Sequence, residues 1–555
     1  MRKPKVTPIV AVADFETDPF KHGRVPAPFC VELYYDTDEC LGFNVVFWGL
    51  DCASQLLDYL DSVQTPLVVY MHNGGKFDFH FILSRLQNPL KIINGRLVRA
   101  KYGVHEFRDS WAIIPMPLKA ANAKTDIDYT RLESNVREKH RVEILAYLHD
   151  DCVYSHQLVL AFVTRFGTKL TIAGTASKEL RKFHPQYRQK EDHDKKFRPF
   201  YYGGRVQCFE SGVIHGNFKL YDVNSMYPHV MREFRHPLGG GYVDMPEGSR
   251  IDSKGWIVGL PGYMYFATVR GWSKGSMPMR ENTGLSFSTQ YGTFQTTSHE
   301  LRAAIELGLF KLDTVEAAFV PRQTQSFVEF VDTFVAEKIA SKKSKDKIGE
   351  TFSKLILNSA YGRFGLNPFG FWDYFITEPH SSRPDDVSGK CTWEPYESSP
   401  EFDLYRRRVN VEDVGVREEL GLNDPTGFED VAIAASITSA ARSVLMRSIA
   451  SAYRPIYCDT DSLICERLTG VEFSDTKLGA WKHEASGNRI AIAGKKLYAL
   501  FDGDECVKMA SKGVRLSSGE IESVAKGESV LWESQAPNFS LKGPTTFVKR
   551  VAKRT

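Results

Sequence analysis

The segment Ile456-Tyr457-Cys458-Asp459-Thr460-Asp461-Ser462 carries two acids between apolar flanks, Ile456 before them and Leu463-Ile464 after. That pattern predicts a β-hairpin over 455–465 with the acids at its tip. The i, i+2 spacing aims both carboxylates toward one side. Alone, an Asp-x-Asp is more often a solvated turn than a site. A second acidic segment shifts the balance: Asp222-Val223-Asn224-Ser225-Met226-Tyr227-Pro228 closes the strand-like run 218–223. Magnesium is satisfied by a few carboxylates plus waters and phosphate oxygens. Two such ions, about 3.5–4 Å apart, are what in-line phosphoryl displacement uses. A third segment, Lys354-Leu355-Ile356-Leu357-Asn358-Ser359-Ala360-Tyr361-Gly362, reads as a helix with Lys354, Asn358 and Tyr361 on one stripe. A lysine there can neutralise triphosphate oxygens, and Tyr361 with Gly362 can press against a base pair. Taken singly, that helix is as readily an amphipathic surface with a solvated lysine.

In chain order these segments resemble motifs A, B and C of family B DNA polymerases, in the forms D-x-x-S-x-Y-P, K-x-x-x-N-S-x-Y-G and Y-C-D-T-D-S. The wording is most similar to the protein-primed branch that copies linear phage genomes, the tectivirus-type enzymes above all. Tyr201-Tyr202-Gly203-Gly204 resembles that branch's Y-x-G-G linker, Lys496-Leu497-Tyr498 its K-x-Y, and Arg442 its arginine before motif C. The ordered matches run from residue 14 to about 513. The resemblance implies a metal site at Asp222, Val223, Asp459 and Asp461, with Asp222 and Asp461 as direct ligands. It makes Tyr227 the gate against a ribose 2′-hydroxyl. Tyr201, Gly203, Gly204, Arg442, Thr460, Lys496 and Tyr498 are then expected on DNA.

The N-terminal third repeats the carboxylate logic. Asp14-Phe15-Glu16 lies on an apolar strand predicted over 9–17, and Asn73-Gly74-Gly75-Lys76-Phe77-Asp78 follows a second one at 66–71. Tyr147 and Asp151 share a side of a helix over 142–162. Each is ordinary surface or capping chemistry by itself. Together they resemble the D-x-E, N-x-F-D and Y-x-x-x-D pattern of DEDD-type proofreading exonucleases, which implies Asp14, Glu16, Asp78 and Asp151 as metal ligands and Tyr147 as a catalytic phenol. Lys124 resembles the branch's additional exonuclease lysine. Thr17, His72, Asn73, Phe77, Ser110 and Tyr129 are implied as holders of a frayed primer strand. Three residues separate Asn73 from Phe77, where the branch commonly has two.

The chain has 555 residues, more than one core can organise, with a net charge of +3 that does not by itself announce a nucleic-acid binder. Its nine cysteines are scattered and contain no C-x-x-C, which argues against a disulfide framework or zinc ribbon. The apolar run 9–13 is stopped by Asp14, too early for a signal peptide or membrane span. The implied architecture is a mixed α+β multidomain chain. A ribonuclease-H-like exonuclease (1–170) and a linker (171–205) precede a right-hand polymerase. Its parts are palm (206–228), a first insertion contacting a terminal protein (229–335), fingers (336–365), a second insertion for processivity and strand displacement (366–430), palm (431–513) and thumb (514–555). The charged stretch 190–198 reads as an exposed connection and 366–428 as loops.

Implied cofactors are two Mg2+ per active site, with Mn2+ as a substitute. Implied partners are template and primer DNA, dNTPs, a terminal protein and a single-stranded-DNA-binding protein, with no membrane. The setting is the cytoplasm of a bacterial host. Two alternatives stay open: a family B enzyme extending ordinary nucleic-acid primers, and a non-catalytic replisome scaffold. The presence of all seven acids (Asp14, Glu16, Asp78, Asp151, Asp222, Asp459, Asp461) speaks against the scaffold.

Overall fold

The computed structural model describes residues 8–37, 40–118, 126–184, 191–239, 241–245, 251–252, 254–258, 262–282, 284–367, 372–381, 393–408, 430–541 and 545–555. Its N-terminal part is built on a mixed sheet. Strand Ile9–Thr17 runs parallel to Leu67–Met71, which runs parallel to His105–Asp109, while Pro28–Tyr35 and Phe43–Trp48 add antiparallel on the other flank. Alternate residues Ala11, Ala13 and Phe15 face one apolar core. Helix Arg141–Phe166 lies across the opposite face, where His156 bonds the Val10 carbonyl at 3.2 Å.

A seven-stranded antiparallel sheet carries the second half. Its order is Glu505–Ser511, Leu497–Asp502, Trp481–Gly494, Gly212–Val223, Ser462–Leu468, Ala452–Asp459 and Val206–Cys208. Behind it runs helix Val431–Ser451, apolar or small on nearly every side and therefore buried on nearly every side. Asp430 caps that helix by accepting from the amides of Ala432 (3.1 Å) and Ile433 (3.3 Å). Helices Val328–Lys343 and Lys347–Ser359 stand as an antiparallel pair, with Asp346 capping the second through the Gly349 amide at 2.9 Å. A four-stranded sheet (Tyr242–Met245, Phe310–Pro321, Phe266–Lys274, Thr289–Thr297) lies between strand Gly212–Val223 and this pair in sequence. Among the described residues, no helix is long and apolar enough to cross a membrane.

The mixed multidomain architecture is as expected, with two local corrections. The described residues within 366–428 are not mainly loop: Trp372–Thr377, Glu394–Ser398 and Asp403–Arg408 are strands that extend the N-terminal sheet to ten. The junction is a Leu90–Tyr374 backbone pairing, flanked by Asn88, whose side chain donates to the Ile376 carbonyl (2.8 Å) and accepts from its amide (3.0 Å). Gly, Pro and acidic residues dominate the composition and mask runs such as Trp-Asp-Tyr-Phe-Ile-Thr that alternate faces. Likewise the described residues of 190–198 are not simply an exposed connection. Glu191–Phe197 is a helix whose Phe197 is 1% exposed and whose His193 pairs with Asp430 at 2.9 Å. Two aromatics among many charges sufficed to bury one side.

Candidate active sites

In the seven-stranded sheet, register brings the two separate acidic segments together. Asp222 lies opposite Ser462, and the Val223 amide donates to the Asp461 carbonyl at 2.8 Å. Burial, then the charge of Asp461, pushes the Asp222 carboxyl up to about 7. Burial, then Asp459, raises Asp461 as well. Such crowding of acids is unfavourable without a cation, and their hard oxygen donors suit Mg2+. Asp459 differs from them. Lys496 Nζ donates to its Oδ1 at 2.6 Å and Thr460 Oγ1 to the same atom at 3.1 Å. Lys496 in turn donates its amide to the Tyr457 hydroxyl at 2.9 Å, and the Tyr457 and Tyr498 rings lie 4.9 Å apart. The K-x-Y segment and the hairpin are thus one hydrogen-bonded unit.

Above the carboxylates opens a cleft of about 440 Å³ lined by Asp222, Val223, Tyr227, Asn358, Tyr361 and Asp461, with Lys338 and Lys354 on its helical wall. Gly362 is exposed and lies outside this lining. Tyr227 and Tyr361 stack at 4.0 Å with their planes 15° apart. Lys338 went unnoticed in the sequence. It and Lys354 each lie eight residues from the Asp346 cap, on opposite helices, so folding at that turn sets them side by side. Burial, then the Lys354 charge, lowers the Lys338 pKa. Two cations sharing one wall above paired carboxylates leave room for a polyanion such as a nucleoside triphosphate.

The N-terminal acids form a second cluster. Ligand atoms of Asp14, Glu16 and Asp151 all lie within 4.8 Å of one another, with Glu16 and Asp151 buried. Asp78 stands outside this trio. Its carboxylate, 2% exposed, accepts from its own amide and from that of Phe15, between Asp14 and Glu16. Burial, with Asp109 nearby, raises its pKa. The additional residue before Phe77 is absorbed in the turn Gly74–Lys76, where a Cβ on Gly75 would meet the Leu97 carbonyl at 2.1 Å. Asn73 enters that turn at φ 65° and accepts from Arg96 at 2.9 Å.

The other N-terminal candidates sit around these acids. Tyr147 and Tyr129 hydroxyls are 3.4 Å apart, and burial raises the Tyr147 pKa. His72 bonds Ser110 Oγ and the Met116 carbonyl, each at 3.0 Å, and burial pushes it down to about 4, so the ring is neutral at pH 7. Thr17, 7% exposed, ends the Asp14 strand. Phe77 meets Phe20 and, from the C-terminal region, Phe539, each at 5.4 Å. No spacing in the sequence announces Phe539. Lys124 lies outside the described residues.

Arg442 corrects an expectation. Expected on DNA, it is 2% exposed, and its guanidinium is spent on Glu300 and on the carbonyls of Tyr202 and Gly203. Gly203 itself is exposed, and Tyr201 is half-buried against Gly365.

A family model for organellar and viral type B DNA polymerases matches residues 96–402. The DNA-directed DNA polymerase of Enterobacteria phage PRD1 is 41% identical, with 99% of each chain covered. The DNA polymerase of Bacillus phage phi29 is 25% identical over 70% of this chain and 66% of its own. Among solved structures, phi29 DNA polymerase with primer-template DNA and incoming nucleotide superposes with a TM-score of 0.69. It covers 99% of this chain and 100% of that one at 20% identity, a likeness of fold.

Proposed function

Since this chain belongs to the organellar and viral type B DNA polymerases, we propose that it replicates a linear genome from a terminal protein and proofreads and displaces strands itself. DNA-directed DNA synthesis comes with the family. The observation that carries the site assignment is the single cleft holding Asp222 and Asp461 below Lys338, Lys354 and the Tyr227–Tyr361 stack.

Asp222 and Asp461 would hold the two Mg2+ ions, which when bound activate the primer hydroxyl and steady the departing pyrophosphate. Lys354 and Lys338 take the triphosphate charge. Tyr361, with Gly362 beyond it, bears on the new base pair, and Tyr227 fills the space of a 2′-hydroxyl. Asp14, Glu16 and Asp151 would hold the ions of the exonuclease, with Asp78 fixing the strand from which two of them project. Phe77 and Tyr129 offer ring faces that hold unpaired bases without regard to sequence. Template, primer, dNTPs, a terminal protein and a single-stranded-DNA-binding protein in a bacterial host's cytoplasm complete the reading.

Incubation with Mg2+, one labelled dNTP at a time and candidate priming proteins tests the priming claim. Label should become covalently attached to protein, whereas label only on nucleic-acid primers would refute it. Tyr227→Val should raise ribonucleotide use relative to deoxyribonucleotide use, read as the ratio of the two kcat/KM values. An unchanged ratio removes Tyr227 from the gate. Lys338→Ala should raise the dNTP KM about tenfold or more, the worth of one charge-assisted hydrogen bond of about 1.5–3 kcal/mol. An unaltered KM would place Lys338 outside the triphosphate site.

A further inference from the structure

Arg442 sits within the buried helix Val431–Ser451, and Glu300 in the first turn of helix Ser298–Glu306. Their side chains are 2% and 0% exposed. The pair is bidentate: Nε donates to Oε1 and Nη2 to Oε2, both at 2.8 Å. The remaining nitrogen, Nη1, donates to the carbonyl oxygens of Tyr202 and Gly203, each at 2.8 Å. Arg280 grips the preceding backbone, donating to the carbonyls of Pro199 (3.0 Å), Arg198 (3.3 Å) and Tyr201. Two arginines therefore hold the linker over 198–203.

Directly after this grip the linker touches the hairpin that bears the polymerase acids. A Cβ on Gly204 would lie 2.7 Å from Thr460 Oγ1. The Arg205 carbonyl accepts the Thr460 amide at 2.7 Å, and Val206 pairs with Asp459. Thr460, between Asp459 and Asp461, is held at φ 61°.

We propose that Glu300 is a positioning residue for nucleotidyl transfer. It fixes the plane of Arg442, which sets the linker carbonyls and, through Gly204 and Arg205, the placement of Asp459 and Asp461. A planar fork held at both ends specifies direction, which apolar residues of similar volume do not. Stability alone does not call for a buried ion pair, because replacing both partners by apolar residues is often neutral or stabilising. Misplacing reacting groups by about 1 Å costs about a hundredfold in rate. The proposal rests on the polymerase reading of the palm, and incorporation by the unaltered chain checks that reading separately.

The test compares Glu300→Gln, and Glu300→Leu combined with Arg442→Met, by single-nucleotide kcat and KM, single-strand degradation and thermal unfolding. The expected result is kcat lowered about ten- to a hundredfold in both, with dNTP KM and single-strand degradation close to the unaltered chain. The apolar pair should also unfold at or above the original temperature. Normal kcat in Glu300→Gln, or recovery of kcat together with stability in the apolar pair, overturns the proposal. So does loss of the folded state in both variants, since the pair would then hold the fold and not the site.

Discussion

Asp461→Ala or Asp222→Ala is expected to cripple primer extension and to leave degradation of single strands at the unaltered rate. Loss of either acid removes several kcal/mol of charge stabilisation at the reacting phosphate. With about 1.4 kcal/mol per decade, extension falls about a thousandfold or more. Asp14→Ala or Asp151→Ala should do the reverse, because these residues belong to the trio on the N-terminal sheet and its covering helix. The two sets stand on separate sheets, so one substitution should not reach both activities. Assays are extension of a primer-template in dNTPs and shortening of a labelled single strand without them. If one variant lost both activities while unfolding at its normal temperature, the two-site account would fail.

Removing most of residues 366–430, with the Asp430 cap of the buried helix kept, is expected to leave short gap filling largely intact and to reduce sharply processive synthesis through a downstream duplex. Asp222, Asp459, Asp461 and Lys354 all lie outside that segment. The structure adds a consequence that loops would not have: Ile376 and Leu404 belong to the apolar core of the N-terminal sheet. Leu404, 2% exposed, should cost about 2–5 kcal/mol when replaced by alanine. Leu404→Ala should therefore lower the unfolding temperature of the N-terminal part, although it lies some 250 residues from Asp151. Undiminished strand displacement by the shortened chain would make the segment a passive appendage. An unchanged unfolding temperature for Leu404→Ala would contradict its place in that core.

Much of this was readable in the sequence where local pattern and chemistry coincide. Asp459 and Asp461 could be placed at a hairpin tip because apolar residues flank them closely, and Ile9–Thr17 because its short apolar run reads as a buried strand. What was unreadable depends on partners remote in the chain. Nothing near Arg442 tells that Glu300, 142 residues away, claims its guanidinium, so a buried clamp read as a DNA contact. Phe539 meets Phe77 across most of the chain. Lys338 was recoverable, since its equal distance from Asp346 with Lys354 is written in the sequence, but only to a reading that folds the two helices together. The strands of 366–408 were hidden by average composition, although the aromatic and β-branched run Trp372–Thr377 was present.

The central claim is that the cleft over Asp222 and Asp461 adds the nucleotide a template specifies. The direct measurement supplies pure chain, Mg2+ and a primer-template whose next unpaired base is varied, with one labelled dNTP at a time. The account predicts incorporation of the complementary nucleotide in each of the four cases, and none once a chelator has taken the metal. Incorporation indifferent to the template base, or no incorporation by folded protein on any template, would contradict it.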